Sequence, residues 1–177
     1  SSMYFPGGAQ EENIVVLPND IIVSDSYSIS LWMRPKTLTA WTSAVFVKFE
    51  SGFCSIVPYA WEGNSTCRLR DATQVNGWFD IPSCVLRENT WWHYMMTYNA
   101  KTETAVVFLN GEPVGRMENV PTNRFVNLAL IGGDMYQPSF NGNICEVIFY
   151  NEVKDYDFVK ELHQSYTQSE KFIAFDK

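Results

Sequence analysis

Asn110-Gly111 is the most restrictive dipeptide in this 177-residue chain. Both central positions of a two-residue hairpin turn need φ > 0, which Gly adopts freely and Asn tolerates. Asn-Gly after a β-prone run therefore marks a tight antiparallel hairpin. The run before it, residues 105–109, reads Ala-Val-Val-Phe-Leu. A little upstream, residues 91–98 read Trp-Trp-His-Tyr-Met-Met-Thr-Tyr and end in the polar Asn99. This second strand is apolar on both faces. Together the two segments demand antiparallel sheet.

Strand patterns recur along the chain, at residues 14–17, 27–33, 45–49, 53–59, 66–70, 78–81, 91–98, 104–109, 128–131 and 144–150, with turn residues between them. In residues 27–33, Tyr27, Ile29, Leu31 and Met33 alternate onto one face before the run stops at Pro35. About ten short strands imply an all-β sandwich or barrel. One short helix is expected over residues 155–162, with Asp155 as its cap and Phe158, Val159 and Leu162 at helical spacing. With neither repeat nor linker, residues 1–177 read as a single domain. Phe172, Ile173 and Phe175 are expected to pack the tail against it.

Composition narrows the partners. The net charge is −7, and no Lys/Arg cluster offers the footprint that nucleic acid or an anionic bilayer requires. No apolar run reaches 18 residues, so no membrane insertion is expected. Cys54, Cys67, Cys84 and Cys145 contain no C-x-x-C pair, which argues against a zinc cluster. Two readings stay open: disulfides of an oxidising compartment, with Cys54 facing Cys67 across a hairpin, or buried free thiols. Asn64-Ser65-Thr66 forms an N-glycosylation acceptor pattern at that hairpin's tip.

The order of segments resembles a laminin-G-like domain of the concanavalin A-like superfamily. Residues 3–8 (Met-Tyr-Phe-Pro-Gly-Gly) look like its opening strand and glycine turn. Residues 28–35, ending in Trp32, Met33, Arg34 and Pro35, look like its aromatic–basic–Pro strand. Trp91 and His93 stand in its Trp and second His positions, and residues 108–115 resemble its Asp/Asn-Gly hairpin. Ile131-Gly132-Gly133 and residues 141–151 look like the closing strand before a short helix. The resemblance runs from Met3 to Leu162 and implies two stacked antiparallel sheets in a jelly roll with one short C-terminal helix. It also implies glycan or protein binding, an extracellular or cell-surface location, and membership of a larger multidomain protein. Many such domains hold a calcium ion. Here Cys145 stands where the family often has Asp, and a thiol substitutes poorly for calcium's oxygen ligands. Only Glu146 and carbonyls around Gly7-Gly8 remain nearby.

Catalysis has little support. His93 reads as a packed structural residue and His163 as a solvent-facing one. No nucleophile motif surrounds a Cys84/His93 pair, and no strand carries the alternating acids of a glycoside hydrolase. Binding reads better, because aromatic rings cover the apolar faces of sugars while amides, carboxylates and Arg bond hydroxyls. Trp41, Tyr59, Trp61, Trp78 and Tyr136 fall in segments read as loops, with Arg70 beside them. Arg68, Asp71, Gln74, Asn76 and Gln137 add polar contacts. Trp32 and Trp91 read as core. The expectation is a non-enzymatic, extracellular carbohydrate-binding module, with a protein-adhesion module as the alternative. Its binding surface is expected within residues 59–82, which have no counterpart in the resemblance.

Overall fold

The computed structural model describes residues 1–123 and 125–168; the expectation for Phe172, Ile173 and Phe175 lies outside them. Among the described residues, twelve strands form two six-stranded antiparallel sheets. The first runs in the order β1 (Met3–Pro6), β12 (Asn141–Tyr150), β3 (Tyr27–Thr37), β8 (Trp92–Asn99), β9 (Thr104–Leu109), β10 (Glu112–Met117). The second runs β2 (Val15–Leu17), β11 (Val126–Ile131), β4 (Val45–Phe49), β5 (Gly52–Val57), β6 (Asn64–Asp71), β7 (Trp78–Val85). This is the jelly-roll sandwich expected from the sequence. The ten anticipated strands are joined by β1, an edge strand on β12, and β10, the return arm of the Asn110-Gly111 hairpin. Asn110 and Gly111 have φ of 50° and 83°, the left-handed pair such a turn requires.

Alternation builds the core. Ile29, Leu31 and Met33 of β3, Tyr94, Met96 and Tyr98 of β8, and Ala105, Val107 and Leu109 of β9 point inward from the first sheet. Val45, Val47 and Phe49 of β4, Cys54 and Ile56 of β5, and Cys67 and Leu69 of β6 meet them from the second. The intervening residues face outward, and there the two sheets differ.

The outer face of the first sheet is covered by α1 (Tyr156–Thr167), which runs past the expected residue 162. Asp155 caps it, its carboxylate accepting from the Phe158 amide at 2.9 Å. Val159 is buried with Met95 and Phe108, and Phe158, Leu162, Val106 and Tyr150 close around them. Burial between core and helix explains why β8 is apolar on both faces. His163 is not solvent-facing as expected. It is half-buried, stacked on His93 with centroids 5.3 Å apart and on Trp32 at 5.6 Å. The two imidazoles meet Nδ1 to Nδ1 at 3.2 Å, and His93 Nε2 lies 2.8 Å from Ser30 Oγ. His93 is structural, as expected, and Trp91 packs beside buried Trp32 and Cys145.

None of the four cysteines is in a disulfide. Cys54 and Cys67 lie diagonally across β5 and β6 with their sulfurs 3.9 Å apart, so the buried-thiol reading describes them. Cys84 and His93 sit on different sheets and form no pair.

Candidate functional site

Among the described residues, no helix covers the outer face of the second sheet. Its outward residues form a groove of about 400 Å³. Phe46 and Lys48 come from β4, Phe53, Ser55 and Val57 from β5, Arg68 and Arg70 from β6, and Trp78 from β7. The pairing arranges them in rows across the strands. One row reads Lys48, Phe53, Arg70, Trp78; its neighbour reads Phe46, Ser55, Arg68, Asp80. Trp41, Tyr136 and Gln137, from the β3–β4 and β11–β12 connections, form the walls.

Arg68 organises one side. Its Nε donates to Asp80 Oδ1 at 2.5 Å and its Nη2 to Oδ2 at 3.1 Å, a bidentate pair on adjacent strands. Tryptophans surround the same guanidinium, at 4.0 Å from the Trp41 ring centroid, 4.7 Å from Trp78 and 5.5 Å from Trp61. Trp61 meets Trp41 edge-on at 4.9 Å. Cation–π contacts are worth about 0.5–2 kcal/mol each. The cluster therefore fixes ring orientations as well as adding stability. Trp41 holds φ of 67°, a costly conformation for a bulky residue. Its amide donates to the Tyr59 carbonyl at 2.8 Å, which secures the turn.

Asp134 anchors the opposite wall. It is buried, its Oδ1 accepting from the amides of Tyr136 and Gln137 at 2.7 and 2.8 Å, its Oδ2 from Ser43 Oγ at 2.5 Å. Because the Ser43 proton goes to Asp134, Ser55 donates to Ser43 at 2.6 Å. The connection is thereby held to the sheet, and the Tyr136 ring packs on Phe46 and Phe53, each at 6.0 Å. Phe46 is fully buried beneath it, whereas Tyr136, Trp61 and Trp78 remain 55%, 48% and 48% exposed. Large aromatics left half in water around a fixed groove are positioned to cover an apolar ligand face.

Of the side chains singled out from the sequence, Trp41, Arg70, Trp78 and Tyr136 line this groove, and Trp61 stands at its rim. Tyr59 does not line it; its ring packs on Gly63, and its carbonyl supports Trp41. Trp78, grouped with the loop aromatics, is the first residue of β7, and Arg70 lies in β6 as its strand pattern indicated. Asp71 turns away, accepting from Thr73 and Gln74 to fold the β6–β7 connection. Sequence reasoning missed Phe46, Lys48, Phe53, Ser55 and Asp134. Alternation in residues 45–49 and 53–57 carried the signal for the first four. Asp134 followed by an aromatic carried a weaker one, as a side-chain-capped turn.

A larger depression of about 730 Å³ lies on the other sheet, along β9, β10 and the start of α1. It is lined by Val106, Phe108, Val114 and Tyr156 and has no tryptophan; its cations Arg116 and Lys154 pair with the exposed Glu118 and Glu152. The Cys145 thiol is buried against Trp32, and no group of three His, Cys, Asp or Glu among the described residues is placed to hold a metal. No described helix is long and apolar enough to cross a membrane.

A laminin-G-type family model, described as the concanavalin A-like lectin/glucanases superfamily, matches residues 8–157. Among solved structures, domain 4 of AbnA, a GH43 extracellular arabinanase from Geobacillus stearothermophilus in complex with arabinotriose, superposes with a TM-score of 0.77. It is 24% identical, over 93% of this chain and 82% of that one. The CBM40 of a Ruminococcus gnavus IT-sialidase bound to α2,3 sialyllactose gives 0.72 at 14% identity, over 92% and 96% of the two chains. A heptameric SAP-like pentraxin from Limulus polyphemus gives 0.64 at 16% identity, over 90% and 76%. At these identities the likeness is one of fold. A search of curated protein sequences returned no match.

Proposed function

Because the chain belongs to the concanavalin A-like lectin/glucanase superfamily, we propose that it is a non-catalytic, extracellular carbohydrate-binding module of a larger protein. The glycan lies in the groove on the outer face of the second sheet. Trp78, Trp41 and Tyr136 cover its apolar faces, with Trp61 at the rim, while Arg70, Lys48 and Gln137 bond its hydroxyls. One observation carries the reading: half-exposed aromatics held around a preformed groove by Arg68 and Asp134, whose own charges are already engaged. A binding site that is rigid before the ligand arrives loses less entropy on binding.

The same engagement supports a non-catalytic role. Asp80 is committed to Arg68, and Asp134 to one hydroxyl and two amides. Neither is left to act as the paired acid and base that glycoside hydrolysis needs. The structural relatives whose names include arabinotriose and sialyllactose share the fold, which supports the reading.

The test is affinity electrophoresis of the intact chain in gels cast with soluble polysaccharides, including arabinan, xylan, pectin and β-glucans. At least one should retard the native chain, with the retardation lost in Trp78→Ala. No retardation across the whole panel would overturn the proposal.

A further inference from the structure

The charged side chains of the groove divide into those already committed and those left over. Arg68 and Asp80 hold each other, and Asp134 is buried beneath Ser43 and two amides. Lys48 and Arg70 remain, and among the described residues lining the groove only Glu50, exposed just after β4, opposes them. Lys48 has neither a hydrogen bond nor an ion pair among the described residues. Arg70 donates through Nη1 to the carbonyls of Asp71 at 2.8 Å and Gln74 at 3.3 Å, and its guanidinium lies 4.3 Å from the Trp78 ring centroid. These contacts fix its plane and leave Nε and Nη2 unengaged among the described residues.

Lys48 and Arg70 share one row across the sheet with Phe53 between them and Trp78 next in line. Their backbones are two strand spacings apart, about 10 Å. The two cations thus flank an aromatic floor, in a chain whose net charge is −7. A neutral sugar needs the floor and takes from the cations only ordinary bonds to its hydroxyls. A planar carboxylate needs both, because a pre-oriented guanidinium edge and an ammonium form charge-assisted bonds to it. Glu50, being exposed, opposes this through water and is screened by salt.

We infer that the groove selects acidic saccharides, holding a sugar carboxylate between Lys48 and Arg70 while the ring lies on Phe53 and Trp78. This rests on the glycan-binding reading above, and narrows it to sugars carrying a carboxylate. Uronic and sialic acids both offer that group, and a titration can separate them.

Calorimetry of the intact chain at low salt would compare trigalacturonate with its methyl ester and 3′-sialyllactose with lactose, with arabinotriose as a further neutral probe. The acid of one pair should bind roughly tenfold tighter than its neutral partner, and which pair does so identifies the carboxylate source. That ratio should fall towards one in Lys48→Met and in Arg70→Met, and be partly kept in Arg70→Lys, with near-ultraviolet circular dichroism reporting an intact fold. Equal affinities within both pairs would overturn the inference and leave glycan binding standing. An acid preference unchanged in all variants would overturn the assignment to these two residues. No binding of any of the five saccharides by a chain that a neutral polysaccharide retards in gels would overturn the inference and leave glycan binding standing.

Discussion

The guanidinium of Arg68 lies 4.0 Å from the centroid of the Trp41 ring while Asp80 grips its edge through both carboxylate oxygens. The Arg68 and Asp80 side chains are 21% and 11% exposed. Removing one partner therefore strands a largely buried charge. Asp80→Ala should destabilise the fold by about 1–3 kcal/mol, as urea denaturation would read it. It should also weaken any glycan affinity, because Trp41 and Trp78 lose the plane they pack on. Asp80→Ala with unchanged stability and binding would show that the pair supports neither.

Histidine protonation sets a second expectation. Burial, reinforced by the neighbouring His163, pushes His93 down to about 3, and burial lowers His163 while Glu112 opposes it. Unfolded, both titrate near pH 6.5. The unfolded chain therefore binds more protons below that pH. Their contribution to stability is complete above about pH 6.5 and is lost as the pH falls towards about 3, at no more than about 1.4 kcal/mol per pH unit for each histidine. Urea midpoints should rise from pH 4 to about pH 6.5 and level off towards pH 8. The rise should be shallower in His163→Gln.

Gly111 ties the hairpin turn to the helix. With φ of 83°, it is also the point where an added Cβ would stand 3.0 Å from His163 Cβ. Gly111→Ala combines left-handed strain of about 1 kcal/mol with displacement of the helix. The melting temperature should drop by about 2–5 °C, and amide exchange should accelerate in α1.

The thiols give a direct readout of covalent state. The hydrogen bond to Cys54, together with burial, raises Cys67 well above the usual thiol range, and burial raises Cys84. A thiol reagent at neutral pH should reach the half-buried Cys84 first. Four thiols should titrate in denaturant without reductant, and two would mean a disulfide.

The sequence shows face parity but not which face is covered. Alternation in β3, β4 and β5 made the sandwich legible, and the Asn110-Gly111 turn made a hairpin certain on local sterics alone. Phe46 and Phe53 are nonetheless indistinguishable from core residues in sequence. Their outward placement matters only because α1 packs on the other sheet and leaves theirs open. Trp78 was read with the loop aromatics because Asn76-Gly77 precedes it, yet it begins β7 and pairs with Arg70 of β6. His163 sat at a position whose default is solvent. Its burial depends on a contact with a strand 70 residues away, which no local pattern encodes.

The central claim is that the groove around Trp78 and Trp41 is where glycan binds, and the indole N–H resonances of the six tryptophans locate it most directly. In a titration of nitrogen-15-labelled protein with a saccharide that retards it in gels, the Trp78 and Trp41 signals should shift, Trp61 less, while those of Trp32, Trp91 and Trp92 stay fixed. Shifts confined to Trp91 and Trp92, with Trp78 and Trp41 unmoved at saturation, would contradict the assignment.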